Sequence, residues 1–314
     1  MMKQIRYIIM ALVATVLTTG CIKEDLDECD NVTIYFQYLA DGDKDVLSQY
    51  MSKVDLYVFD ENGHILGVGS YNQDELRNHK AIPSFKLRPG QRYRVVALGN
   101  AYDHTKVVNL TANRLSDIHF QSPFWKDGAG NLVINHDHNY LGVNEFVMPV
   151  KEGVMYRDTV TMYSSHVNTE VEIHGLPAPQ SRADIPYELS FEDSNAQTSF
   201  ENEINTEEKG TIYPELIYDT ENNCYRTNDF ALFRLDYGSR VDERTCAHKL
   251  VLKDKRTGEE LVRGSIFNYL ARYREEIDVT KQEALLPISI EFHEANVEII
   301  LPDWVIVEGK PDWN

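Results

Sequence analysis

The sequence predicts an all-β protein of two consecutive antiparallel β-sandwiches with one or two short helices. Three observations carry this. Apolar and polar residues alternate with period two along most of the chain, turn residues separate the runs, and helical spacing is confined to short stretches. Val32, Ile34, Phe36 and Tyr38 alternate with Thr33, Tyr35 and Gln37, and Val54, Leu56 and Val58 with Asp55, Tyr57 and Phe59. The second run ends in Asp60-Glu61-Asn62-Gly63, and Asn-Gly between apolar runs marks a hairpin because both residues tolerate positive φ. Arg88-Pro89-Gly90 turns the chain into a strand at Tyr93 to Leu98.

In the second half Val167, Thr169, Val171 and Ile173 alternate against Asn168, Glu170, Glu172 and His174. Further strands are expected at Tyr187 to Phe191, Ala231 to Leu235, His248 to Leu252, Ile288 to Phe292, Val297 to Leu301 and Trp304 to Val307. Thr257-Gly258 should turn the chain between two paired strands. Ile266, Leu270, Tyr273 and Ile277 fall at helical spacing behind Ser265, a fair N-cap. Short helical turns are expected within Asp45 to Lys53 and Asn113 to Phe120. The stretch Glu192 to Lys209 is polar without apolar period and reads as a long loop. No repeat of fixed short period is visible.

The start of the chain reads as an export signal. Lys3 and Arg6 form a basic n-region, and Tyr7 to Leu17 is an uncharged run too short to span a bilayer comfortably. Thr19-Gly20 then places two small residues before Cys21, the arrangement in which a bacterial lipoprotein thiol receives its diacylglyceryl group. Leu17 lies one position further from Cys21 than the usual lipobox has it. Lys23-Glu24-Asp25 opens an aperiodic acidic stretch to Asp30 that suits a solvated tether. The division expected is a signal over residues 1–20, a lipidated tether over 21–30, one sandwich over 31–151 and a second over 152–314.

Composition narrows the partners. The chain has 314 residues and a formal charge of -19, so phosphate backbones would repel it and nucleic acid is no partner. The lipid on Cys21 would be its only hold on the outer membrane. With Cys21 lipidated, Cys29, Cys224 and Cys246 remain, enough for one bridge and a free thiol. Cys224 and Cys246 are the candidate pair, worth about 3 kcal/mol by chain entropy, although three thiols allow three pairings.

Catalysis has no foothold. There is no G-x-S-x-G elbow, phosphate loop or dinucleotide fingerprint, and no cofactor is expected. Asn135-His136-Asp137-His138-Asn139 is dense in ligand types, but a strand would point His136 and His138 away from Asp137, and no metal is assigned. Asp41-Gly42-Asp43-Lys44-Asp45 lacks the closing Glu of a calcium loop and reads as an exposed acidic turn. Trp125, Trp304 and Trp313 could stack on sugars; Trp304 reads better as a sheet-edge anchor.

Several stretches, taken together, resemble the FimB-type minor fimbrial anchor lipoproteins of Bacteroidetes. They are Cys21 with Glu24-Asp25-Leu26 and Cys29, the strand Val32 to Tyr38, VDLYVFDENGHIL from Val54, HVNTEVEIHGLP from His166, SIFNYLARY from Ser265 and LLPISIEFHEANVEIILPDWVIV from Leu285. Lys23-Glu24-Asp25 likewise looks like the export signal of surface lipoproteins in that phylum. The resemblance implies two transthyretin-like sandwiches, a place at or within a surface fimbria, and neighbours joined by β-strand addition. Stalk subunits of such fimbriae are opened after an arginine near the first strand; here no arginine lies between Ile22 and Arg77, as suits an anchor that keeps its lipid. The last strands would supply the subunit contact, through Val297, Ile299, Leu301, Trp304 and Ile306. The rival function is a surface lipoprotein that binds glycans for a polysaccharide-uptake system, for which eighteen tyrosines offer platforms.

Overall fold

The computed structural model describes residues 31–307 except 84–85, 124–131, 134–135, 152–154, 182–183, 229 and 238–239. The signal, the tether with Cys21 and Cys29, and Trp125 and Trp313 lie outside the described residues. The chain is all-β, with several sheets and few short helices.

The first half begins with β1 (Val32–Gln37), whose Val32, Ile34 and Phe36 are buried as their alternation requires. A helical turn, Leu47–Tyr50, leads to β2 (Lys53–Asp60) and β3 (Ile65–Asn72). Their hairpin closes where expected: Asp60 Oδ1 accepts from the amides of Asn62 and His64, at 2.9 and 2.8 Å. Gly63 sits there at φ 81°, and a Cβ would collide with the Asn113 carbonyl, so glycine is required. Then follow β4 (Lys80–Ala81), β5 (Arg92–Gly99), β6 (Lys106–Val108), β7 (His119–Gln121), β8 (Leu132–Val133), β9 (Tyr140–Val147), β10 (Tyr156–Thr161) and β11 (Tyr163–Ser164). Two sheets, β10-β1-β4 and β11-β9-β5-β2-β3, enclose a core that includes Phe36, Tyr38, Leu56, Val95 and Tyr140. Residues 156–164, expected beyond a boundary at 151, thus pair with strands of the first half: β10 lies parallel to β1, and β11 pairs with β9.

The second half comprises β12 (His166–His174), β13 (Tyr187–Asn195), β14 (Gln197–Ser199), β15 (Lys209–Ile212), β16 (Leu216–Asp219), β17 (Cys224–Thr227), β18 (Phe230–Phe233), β19 (Asp236–Tyr237), β20 (Arg240–Val241), β21 (Lys249–Asp254), β22 (Glu260–Ser265), β23 (Leu285–Phe292) and β24 (Val297–Ile300). Sheet β16-β17-β12-β23-β24, with β18 also on β12, and sheet β22-β21-β13-β15-β8 share the largest core. The helix behind Ser265 spans Ile266–Arg272, with the Ser265 side chain accepting from Asn268 N at 3.3 Å. It stops before Tyr273 and Ile277, which the apolar spacing had included.

The long loop expected at Glu192 to Lys209 is corrected. It holds the end of β13, all of β14 and the start of β15. Ser194 and Asn195 are buried there because backbone carbonyls receive them: Ser194 Oγ donates to Phe191 O at 2.8 Å, and Asn195 Nδ2 to Arg234 O at 2.8 Å and Thr245 O at 2.9 Å. A strand buried through polar groups has no apolar period to read.

The halves repeat one pattern of strand pairing. In the first, β1 pairs β10 in parallel and β4 antiparallel, while β2 pairs β3 and β5, and β5 pairs β9, all antiparallel. In the second, β12 pairs β23 in parallel and β17 antiparallel, while β13 pairs β15 and β21, and β21 pairs β22, all antiparallel. The repeat is one of topology, which a search for similar residues does not detect.

A third core joins the halves. Tyr57, Phe59, Val96, Leu98 and Leu141 on the outer face of the first large sheet pack with Ile118, Phe120, Phe200 and Phe233. Backbone pairing crosses the same seam, since β7 pairs with β14 and β8 with β15.

Candidate subunit-contact site

The last hairpin is built by a tight turn and one aromatic clamp. His293 N donates to Asn296 O at 2.9 Å, and β24 then runs antiparallel to β23, pairing Phe292 with Val297 and Ser289 with Ile300. The Tyr269 hydroxyl lies 2.6 Å from Pro287 O and 3.2 Å from Ile300 O, tying the helix Ile266–Arg272 to both strands. Ile299 reaches across to β22, where a Cβ on Gly264 would collide with its Cδ1. This close approach joins the margins of the two facing sheets, and a shallow cavity of about 190 Å³ lies beside it, lined by Leu250, Ile266, Tyr269 and Arg272.

Of the predicted contact residues, Val297 is exposed, Ile299 half-buried and Leu301 buried in the core. The predicted strand from Trp304 to Val307 is a helix, Asp303–Val307. Pro302 is the cause. It lacks an N–H for the sheet ladder, and its carbonyl accepts from Val305 N at 3.0 Å to start the turn, with Asp303 at the favourable end of the dipole. Trp304 is exposed on that helix; Ile306 shares it. The five positions therefore sit on one strand, one core contact and one helix turn.

Cys224 and Cys246 are both buried free thiols, so the bridge considered between them is not formed. Cys224 opens β17 in one sheet, whereas Cys246 lies just before β21 of the facing sheet. Burial pushes the thiols up to about 11 and about 12, respectively.

The histidine cluster proves to be part of the seam between halves. His136 stacks on Phe233 with ring centroids 4.0 Å apart, and His138 stacks on His166 at 4.8 Å. Asp137 turns the other way, its Oδ2 accepting from Tyr102 N at 2.8 Å and Thr105 Oγ1 at 2.7 Å. Burial drives His136 down to about 4 and His166 to about 3, so both are neutral at pH 7. Among the described residues no group of three or more His, Cys, Asp or Glu is placed to hold a metal.

The acidic turn also docks on the second half. Asp41 accepts from Gln282 N at 3.1 Å, and Asp45 accepts from Tyr38 N and Leu47 N, each at 3.1 Å. No spacing in the sequence marked the loop 278–283 that receives it. Arg234, buried and paired with Asp236 at 2.7 Å, holds that loop by donating to Lys281 O and Thr280 O at 2.8 and 2.9 Å. The signal available was an arginine set between Phe233 and Leu235 in an otherwise apolar run. No described helix is long and apolar enough to cross a membrane.

Comparison with known proteins points one way. The structure is similar to a candidate adhesin of Bacteroides ovatus, at TM-score 0.67 and 18% identity over 90% of this chain and 96% of that one. A candidate polysaccharide-binding protein of Bacteroides thetaiotaomicron gives TM-score 0.63 and 17% identity over 87% and 98% of the two chains. The fimbrial anchor protein Mfa2 of Porphyromonas gingivalis gives 0.62 and 16% over 85% and 96%. At such identities the likeness is one of fold. A comparison with curated proteins returns no match. The model of one family, the fimbrillin-A associated anchor proteins Mfa1 and Mfa2, matches residues 26–310. Because that match runs from the tether past the last described helix, the chain belongs to the family of fimbrillin-A associated anchor proteins.

Proposed function

We propose that this protein is a non-enzymatic anchor or accessory subunit of a fimbria, lipid-anchored at the outer membrane and exposed at the cell surface. The family match over residues 26–310 is the observation that carries the reading. The lipid would sit on Cys21, one short tether before β1. The duplicated pairing pattern supports two transthyretin-like sandwiches, with the division at Ser165, between β11 and β12, in place of 151. Shaft or accessory subunits would join by strand addition at the β24 margin, where Val297 and Ile299 present apolar side chains and Leu301 seats the strand's end. Trp304 and Ile306 would flank the joint from the terminal helix.

Burying acyl chains contributes about 0.8 kcal/mol per methylene, so two or three chains make attachment permanent on a cell's timescale. Cys21→Ala should yield folded, soluble protein and leave fimbriae assembled but shed into the medium. Retention of the variant in the membrane fraction would overturn the lipid anchor. A surface glycan binder would instead leave fimbriae untouched and be retarded in polysaccharide gels. Exposed Tyr102, Tyr163 and Tyr213 are the rings such a binder would use.

A further inference from the structure

β3 forms one margin of the first large sheet and, among the described residues, pairs only with β2. Its eight residues, Ile-Leu-Gly-Val-Gly-Ser-Tyr-Asn, contain no charge and no proline. Leu66 and Val68 project outward at 47% and 50% exposure. Sheets guard their margins with charge, proline, bulges or brevity, because unpaired backbone invites another strand. Among the described residues, margins other than the β24 joint follow that practice. β10 carries Arg157 and Asp158, β22 carries Glu260 and Arg263, and β4 has only two residues. β3 has a bulge at its start, opposite Val58 and Phe59, and at its end Glu75 Oε2 accepts from Asn72 N at 2.8 Å, which leaves Leu66 to Ser70 between them without charge or proline.

The repeated topology shows what belongs on such a margin. The counterpart of β3 in the second half is β15, which has β13 on one side and β8 on the other. There the added strand aligns Leu132 with Thr211 and Val133 with Ile212, and Ile212 is fully buried. β3 is twice as long as β15 and has no such cover among the described residues.

We propose that β3 is a second docking margin, which takes an extended strand from another protein subunit with apolar side chains at alternate positions. Repeating backbone donors and acceptors at strand spacing are matched by another peptide backbone, and Leu66 and Val68 select apolar partners on one face. A second copy of this chain is disfavoured, since each carries a formal charge of -19. The site is separate from the β24 margin and rests on the fimbrial-subunit reading.

The test is hydrogen exchange of the full-length protein, isolated and within purified fimbriae. Amides of residues 66–70 that do not bond to β2 should exchange at least tenfold more slowly in fimbriae. Equal exchange there, with the protein present in the fimbriae, overturns this proposal alone; absence of the protein from purified fimbriae overturns the fimbrial reading and this site with it. Val68→Lys should keep the melting temperature and lower the amount co-purifying with fimbriae at least tenfold, whereas Val150→Lys, on a residue 81% exposed, should not. Undiminished co-purification of the Val68→Lys variant overturns the proposal. So does concentration-dependent dimerisation of the isolated protein that Val68→Lys abolishes, since the margin would then pair with itself.

Discussion

Glu283, in the loop before β23, accepts a hydrogen bond from the hydroxyl of Tyr38, just past the end of β1 and 245 positions away. The Tyr140 hydroxyl adds a second at 3.2 Å. The segment nearest the expected lipid is thereby held by the second half of the chain. A pull through the proposed lipid tether would load β1, which is braced by β10 and β4 on its sides and by Glu283 at its end.

Removing one hydroxyl tests this brace. Tyr38→Phe keeps the ring, which packs edge-on against Tyr140 at 4.9 Å, and deletes the bond. A hydrogen bond to a charged group contributes about 1.5–3 kcal/mol, so urea unfolding should show a loss in that range. Glu283→Gln should cost less, because an amide oxygen still accepts. Burial raises the Glu283 pKa above its ordinary value, so its ionisation opposes folding. This contribution is most favourable below the unfolded pKa and is lost as pH rises through the folded one. The Gln variant should therefore show a smaller decline in stability with rising pH across that window.

The buried histidines act in the opposite direction. Burial lowers His136 to about 4 and His166 and His248 to about 3, below the unfolded value near 6.5. Their stabilising effect is complete above about pH 6.5 and is lost as pH falls through the folded values. Melting temperature should therefore drop between pH 6.5 and pH 4. His136→Phe, which retains a ring against Phe233, should flatten that drop by about 3 kcal/mol at most. An unchanged pH profile would show that His136 does not titrate with unfolding.

Gly264 and Ile299 form a pair that a double-mutant cycle can isolate. Gly264→Ala drives a methyl into Ile299 Cδ1 and should cost about 1–3 kcal/mol by overpacking. Adding Ile299→Val shortens the side chain and should recover much of that cost, giving a coupling energy of about 1 kcal/mol. Additive losses would mean that β24 shifts freely.

Asp236→Asn leaves the Arg234 guanidinium buried beside a neutral partner. Breaking a buried ion pair costs about 3–5 kcal/mol, and the remaining bonds to Thr280 O and Lys281 O should hold this case to the lower end. Peptides spanning 278–283 should also lose exchange protection. Undisturbed protection would mean that Arg234 holds the loop without help from Asp236.

Several elements were legible because their causes are local. Alternation in Val32 to Tyr38 and Val167 to Ile173 reports one buried face, Gly63 supplies the positive φ of a hairpin, and Ser265 caps the helix it precedes. The family match extended the resemblance seen in those same stretches. Trp304 was misplaced because apolar, β-branched text following Pro302 suits a strand as well as a short helix, and the proline's geometry decided between them.

By itself, then, the sequence determined the all-β class, the hairpins and the kinship, since each rests on residues a few positions apart. Tertiary structure alone decided the rest. The parallel pairing of β12 with β23 joins residues more than a hundred positions apart, and no local period records it. Burial of Asn195 depends on the carbonyls of Arg234 and Thr245, brought from other segments, so polar text became strand. The duplicated topology, and with it a β3 margin that pairs only with β2 among the described residues, exists only as a set of pairings between backbones, which different side chains can satisfy equally well.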